Sequence, residues 1–201
     1  EIVQATFEHA GTPGDTFLPA GLVPTTPTLV TLLTVRAPDG PTGPFTLAQV
    51  RVSCRSGIRA RALVVASAVE AEPETTAWLA SGWGIDGAGS VHVDRRYDQV
   101  RVSAPWFDVA LPRPRPIGVH DVQYVVGLHP VSTAEGNRLA QVELHVELDR
   151  VERARPVLER FVAPADVPGL DPRFVVAATS GVGTLELPAV RYLLPHDPRP
   201  A

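Results

Sequence analysis

Apolar and polar residues alternate with period two through most of this chain, and that pattern commits it to strands. The clearest run is residues 139–149. There Gln141, Glu143, His145 and Glu147 take one side of an extended backbone, and Val142, Leu144, Val146 and Leu148 take the other. Residues 47–55, 90–94 and 99–103 repeat the pattern. Residues 61–69 and 122–128 are more continuously apolar, as expected of strands covered on both faces. The 21 prolines fall where strands should stop, and Pro112-Arg-Pro-Arg-Pro116 reads as an extended polyproline-type connection. Helical signals are few. Residues 74–81 make two turns ended by Gly82, and residues 151–161 make a second helix interrupted by Pro156. The expected architecture is mainly β: one domain over residues 1–201, an antiparallel barrel or double sheet around a central pocket, with one or two short helices.

Composition removes several classes of function. The net charge is −4 and the arginines are scattered, so no nucleic-acid partner is expected. Cys54 is the single cysteine, which rules out an internal disulfide. No stretch approaches the ~20 apolar residues of a membrane span, and the first residues carry no signal pattern, so the expectation is a cytoplasmic protein without a membrane partner. All 18 basic residues are arginine and there is no lysine, which excludes a lysine Schiff base. The absence of Lys and Met beside abundant Arg, Ala and Pro points to a GC-rich bacterial genome.

Several segments, in order, resemble the acetoacetate decarboxylase-like superfamily. Phe17-Leu-Pro-Ala-Gly-Leu-Val-Pro24 resembles the family's step into its first barrel strand, and Gly43-Pro-Phe-Thr-Leu47 its gly-pro-tyr-x-glu strand start. Ala77-Trp-Leu-Ala-Ser-Gly-Trp-Gly-Ile-Asp86, followed by Val91-His-Val-Asp94, stands where the family has a helix, its lysine-bearing catalytic loop and the next strand. Ala163-Pro-Ala-Asp-Val-Pro168 and the run 185–194 resemble its C-terminal pieces. The resemblance implies strands around a closed pocket, a homo-oligomer, and lyase or aldol chemistry on keto acids. It also marks what is gone. The lysine pair falls within residues 84–88, here Gly, Ile, Asp, Gly and Ala, and the family's carboxylates fall near Leu32, Leu47 and Trp78.

Two readings follow for these positions. In one, Leu32, Leu47, Trp78, Trp83 and Ile85 line a pocket turned over to a larger, more apolar metabolite, a small-molecule substrate bound without any cofactor. In the other they are core. Gln49 and Arg51 share a strand side with Leu47, so Arg51 is the candidate to hold a carboxylate or enolate, with Gln49 beside it; the alternative is a solvated face. Asp86 and His92 are candidate acid–base groups near the loop, and Arg101 a second cationic contact; a turn-former and ordinary strand residues are the alternatives. The glycine-rich run 82–89 lacks the Lys-Ser/Thr of a phosphate loop and reads as a turn over a pocket mouth. No metal site is expected: carboxylates two residues either side of His145 lie ~7 Å apart along a strand, and His120 and His129 are too far apart to form a ligand pair. The functional expectation is a lyase- or cyclase-type enzyme on a keto-acid or polyketide-like metabolite in bacterial specialised metabolism. The rivals are a non-catalytic ligand-binding homologue or partner subunit, and a β-keto acid decarboxylase that needs no imine.

Overall fold

The computed structural model describes residues 1–10, 18–85, 87–122, 124–134, 136–187, 190 and 193–195. Its strands are β1 (Ile2–His9), β2 (Leu22–Pro24), β3 (Leu29–Ala37), β4 (Phe45–Ser56), β5 (Arg59–Ala71), β6 (His92–Arg96), β7 (Gln99–Ser103), β8 (Phe107–Pro112), β9 (Arg115–Ile117), β10 (Gly127–Thr133), β11 (Gly136–Val142), β12 (His145–Ala154), β13 (Val157–Phe161), β14 (Pro172–Glu186) and β15 (Leu193–Pro195). They are joined by one α-helix, α1 (Pro73–Trp83), and a 3-10 turn, Val119–Asp121. Eleven strands form a large sheet in the order β15-β11-β10-β5-β4-β3-β1-β14-β12-β9, with β2 on β4. The other four, β13-β8-β7-β6, form a second sheet. Strand pairings are antiparallel, as expected, except that β10 runs parallel to β5.

Alternation divides the large sheet into two faces. Val3, Ala5 and Phe7 of β1, Val30 and Leu32 of β3, and Ala48, Val50 and Val52 of β4 pack against Val100, Val102, Phe107, Val109 and Leu111 of the second sheet. The neighbours of opposite parity, Ile2, Leu33, Val35, Phe45 and Leu47, pack on the other face with Val69, Ile85, and Leu79 and Trp83 of α1. At one margin the sheets are tied by Arg95, whose Nε donates to Glu1 (2.9 Å) and whose Nη1 donates to Glu152 (2.8 Å).

Three local expectations are corrected. Residues 151–161 form no helix: Pro156 separates β12 from β13, and pairing with β14 and β8 overrides the helical composition. The run 139–149 is not one strand. It breaks after Val142, and β12 exchanges the partners of β11 for β14 and β9, while Val142, Leu144, Val146 and Leu148 stay in one core. Only the end of residues 122–128 is strand, and the polyproline segment contributes β9, a short edge strand on β12. Helix α1 is as expected but three residues longer, one at its start and two at its end. Pro73 occupies its first turn, where a missing N–H is harmless, and Gly84 rather than Gly82 ends it, at φ +64° with its N–H on the Ala80 carbonyl.

Candidate functional site

Cross-strand register arranges the helix-bearing face of the large sheet in rows. One row is apolar: Ile2, Val35, Leu47 and Val69 stand side by side on β1, β3, β4 and β5. The next is polar at both ends: Thr179 of β14, Gln4, Leu33, Gln49 and Ser67. A third runs Ala177, Thr6, Thr31, Arg51 and Val64, a register shift between Val50 and Arg51 selecting Val64 over Val65. Polar side chains thus continue inward along a sheet whose neighbouring rows are core.

The inner end of these rows is a buried cationic cluster. Gln49 is 0% and Arg51 3% exposed. The Gln49 side-chain oxygen accepts from Arg51 Nε at 2.8 Å and from Nη2 at 2.6 Å, and Arg51 Nη1 donates to the Val125 carbonyl at 3.5 Å. Gln49 in turn donates to the Ser67 hydroxyl at 3.4 Å. Among the described residues no carboxylate pairs with Arg51. Burial without that partner pulls its pKa down to about 9, so it remains a cation at neutral pH.

His129, on β10, completes the cluster. It is 1% exposed, and neither ring nitrogen has a hydrogen-bond partner. Burial, then the charge of Arg51, pulls its pKa down to about 3, which leaves a neutral imidazole. A Cβ placed on Gly127 would lie 3.0 Å from His129 Nε2 and 3.5 Å from Arg51 Nη2, so both groups converge on a backbone position that carries no side chain. Buried polar atoms are nearly always satisfied, and a free imidazole beside an unpaired guanidinium is therefore a place where a further polar group fits. Cys54 is no nucleophile: burial pushes its thiol up to about 11.

The other sequence-predicted residues divide by face. Leu47, Trp83 and Ile85 are buried in the core beside the cluster, on its side of the sheet. Trp78 stacks edge-on against Trp83 (4.3 Å, 72°) and lines a groove of about 450 Å³ with Ile2, Val35 and Phe45; Arg51 is not part of that groove. Leu32 is corrected: it points to the opposite face, against the second sheet, because its neighbour Leu33 takes the side of Leu47. His92 and Arg101 also lie elsewhere. His92 is exposed on β6 and bonds Ser90 at 3.0 Å, while Arg101 is exposed on β7 and donates to Glu159 at 2.5 Å. Asp86 falls outside the described residues. Of the run 82–89, Gly82 and Trp83 belong to α1, Gly84 caps it, Ile85 is core, and Ala88 bridges Val69.

Sequence reasoning missed His129, Ser67, Gln4 and the row of Thr6 and Thr31. The signal for His129 was present in a histidine closing the apolar run 125–128, but it was weighed only as a metal ligand. The threonine row needs the strand register.

No family model matches the chain, and no curated protein matches it in sequence. Solved structures do match. Acetoacetate decarboxylase from Legionella pneumophila subsp. pneumophila str. Philadelphia 1 superposes with a TM-score of 0.80 at 15% identity, covering 97% of this chain and 84% of that one. The enduracididine biosynthesis enzyme MppR, complexed with the condensation product of pyruvate and imidazole 4-carboxaldehyde, gives 0.64 at 17% identity over 92% and 86%. An acetoacetate decarboxylase-like enzyme from Sphingomonas wittichii RW1 gives 0.58 at 15% identity over 94% and 91%. The chain has the acetoacetate decarboxylase-like fold, as its segments suggested. At these identities the likeness is one of fold.

Proposed function

We propose that this chain is a lyase- or cyclase-type enzyme acting on a keto-acid or polyketide-like metabolite in bacterial specialised metabolism, without a lysine imine and as a homo-oligomer. The observation that carries the reading is Arg51: a buried cation with no carboxylate of its own, braced by Gln49 and facing the free nitrogens of His129. An imine acts as an electron sink next to the reacting carbon. Without one, the electron pair released by losing a proton or carbon dioxide moves onto the ketone oxygen, and a guanidinium in a dry site stabilises that enolate. His129, neutral when the site is empty, accepts the proton from carbon and returns it. Burial is the larger cause of its low basicity and the charge of Arg51 the smaller; an anion on Arg51 offsets the second. The apolar row of Leu47 and Val69, with Trp83 and Ile85, suits the hydrocarbon part of the substrate. Support also comes from the named neighbours, a decarboxylase and a biosynthetic enzyme complexed with the condensation product of pyruvate and imidazole 4-carboxaldehyde.

The test is product formation from acetoacetate, oxaloacetate and a panel of linear β-keto precursors, following carbon dioxide release and product mass. Turnover of at least one above the uncatalysed rate, reduced about 10²-fold or more in Arg51→Met, is expected. Absence of product across the panel, or turnover indifferent to Arg51, counts against it. Capture of a ligand without turnover is the second reading, favoured by one observation: among the described residues the acid–base group that faces the charge of Arg51 is the His129 imidazole.

A further inference from the structure

At the margin of the large sheet, away from the interior cluster, β9 and β12 bring arginines face to face. The register pairs Arg115 with Arg153. Arg113, in the bend before β9 with its N–H on the Asp98 carbonyl, and Arg155, just past the end of β12, line the same groove beside that pair, so four arginines cluster there. Directly opposed side chains stand about 5 Å apart and successive ones on a strand about 7 Å. All four are exposed and line one groove, floored by Val175 and Ile117.

Like charges directly opposed across strands destabilise a sheet unless something neutralises them. Nothing recorded does so here. Arg95, Arg96, Arg101, Arg160 and Arg173 each sit on a carboxylate, whereas among the described residues none of the four does. The cluster is not a symptom of a basic protein either, since the net charge is −4. The backbone also holds it in place. Pro112, Pro114 and Pro116 alternate with the two arginines of the incoming segment and fix its φ angles. Arg113 adopts φ +47°, a left-handed conformation rare outside glycine and concentrated at binding sites.

Planar guanidinium forks bind phosphate oxygens in pairs. A single phosphoryl group satisfies two of them; four along one groove match a group with two phosphoryls. We propose that Arg113, Arg115, Arg153 and Arg155 form a binding site for a diphosphate group. It stands independently of the chemistry assigned to Arg51.

Calorimetric titration of the whole protein with inorganic pyrophosphate at low ionic strength tests this. The expected result is saturable one-to-one binding that outcompetes orthophosphate, falls with added salt, and weakens about tenfold or more in Arg115→Gln and in Arg153→Gln. Thermal unfolding supplies a readout of opposite sign. Without pyrophosphate, Arg153→Gln melts at or above the wild-type temperature, because a repulsion is removed. With pyrophosphate, only the wild type gains. Absence of saturable binding, or binding unchanged in the Arg115→Gln/Arg153→Gln double variant, overturns the proposal. So does a large loss of stability in the ligand-free variants, which would make the arginines structural.

Discussion

A guanidinium kept from water without a carboxylate is costly. Burial draws the Arg51 pKa down from 12.5 to about 9, a lost solvation on the order of several kcal/mol. Replacing it with methionine keeps the apolar stem and removes the charge, but strips the Gln49 oxygen of two donors, a loss of about 1–3 kcal/mol. The first quantity is larger. Arg51→Met is therefore expected to unfold at higher urea, by about 2 kcal/mol, while binding and turnover disappear. Destabilisation instead would make Arg51 a structural brace. His129 gives the matching pH prediction. Its folded pKa, about 3, lies below the unfolded value of 6.5, so between those limits the unfolded chain binds more protons and stability falls as the pH falls. Urea midpoints measured from pH 7 to pH 4 should show that decline, and His129→Leu should flatten it. An equally steep decline in the variant would place the acid sensitivity elsewhere.

Among the elements, what was legible followed local rules, and what was not depended on partners. Alternation separates Ile2 from Val3 and Leu32 from Leu33, yet it does not say which set meets α1 and which the second sheet. For that reason the sequence leaves Leu32 open between pocket and core. Arg51 and Gln49 were found because strand parity links them to Leu47; His129 and Ser67 reach them through other strands, and no local pattern carries that information. The charged composition of residues 151–161 reads as helix, and two strand partners decide otherwise. Helix α1 was visible from its ends inward, and its cap is testable. At Gly84 a Cβ would lie 2.0 Å from Val131 Cγ1, in a left-handed conformation. Gly84→Ala should lose about 2 kcal/mol or more in urea unfolding. Gly82→Ala, inside the helix with nothing within 4 Å, should gain up to about 1 kcal/mol. Equal effects at the two glycines would contradict this reading of the cap.

For the molecule as a whole, the ordered segments that resemble acetoacetate decarboxylases and the independent strand pattern pointed to the same fold. The departures from the family pattern carried the functional content. Positions 84–88 supply no amine, Leu47 and Ile85 are packed core, and the polar chemistry sits two rows away, at Arg51 and His129. Assembly belongs to this scale too. No helix among the described residues is long and apolar enough to cross a membrane, and β14 exposes Phe174, Val176 and Val182. Sedimentation equilibrium is expected to give a multiple of 21.5 kDa; a monomer at micromolar concentration would remove the oligomer from the proposal. The central claim is that Arg51 and His129 form an anion site in the interior. The most direct measurement is the ring titration of His129 by nitrogen-15 NMR, with and without saturating oxalate, a planar mimic of an enolate. The account predicts that oxalate raises the His129 pKa from about 3 and that Arg51→Met abolishes both the rise and the binding. An unmoved His129 titration, or oxalate binding indifferent to Arg51, would contradict it.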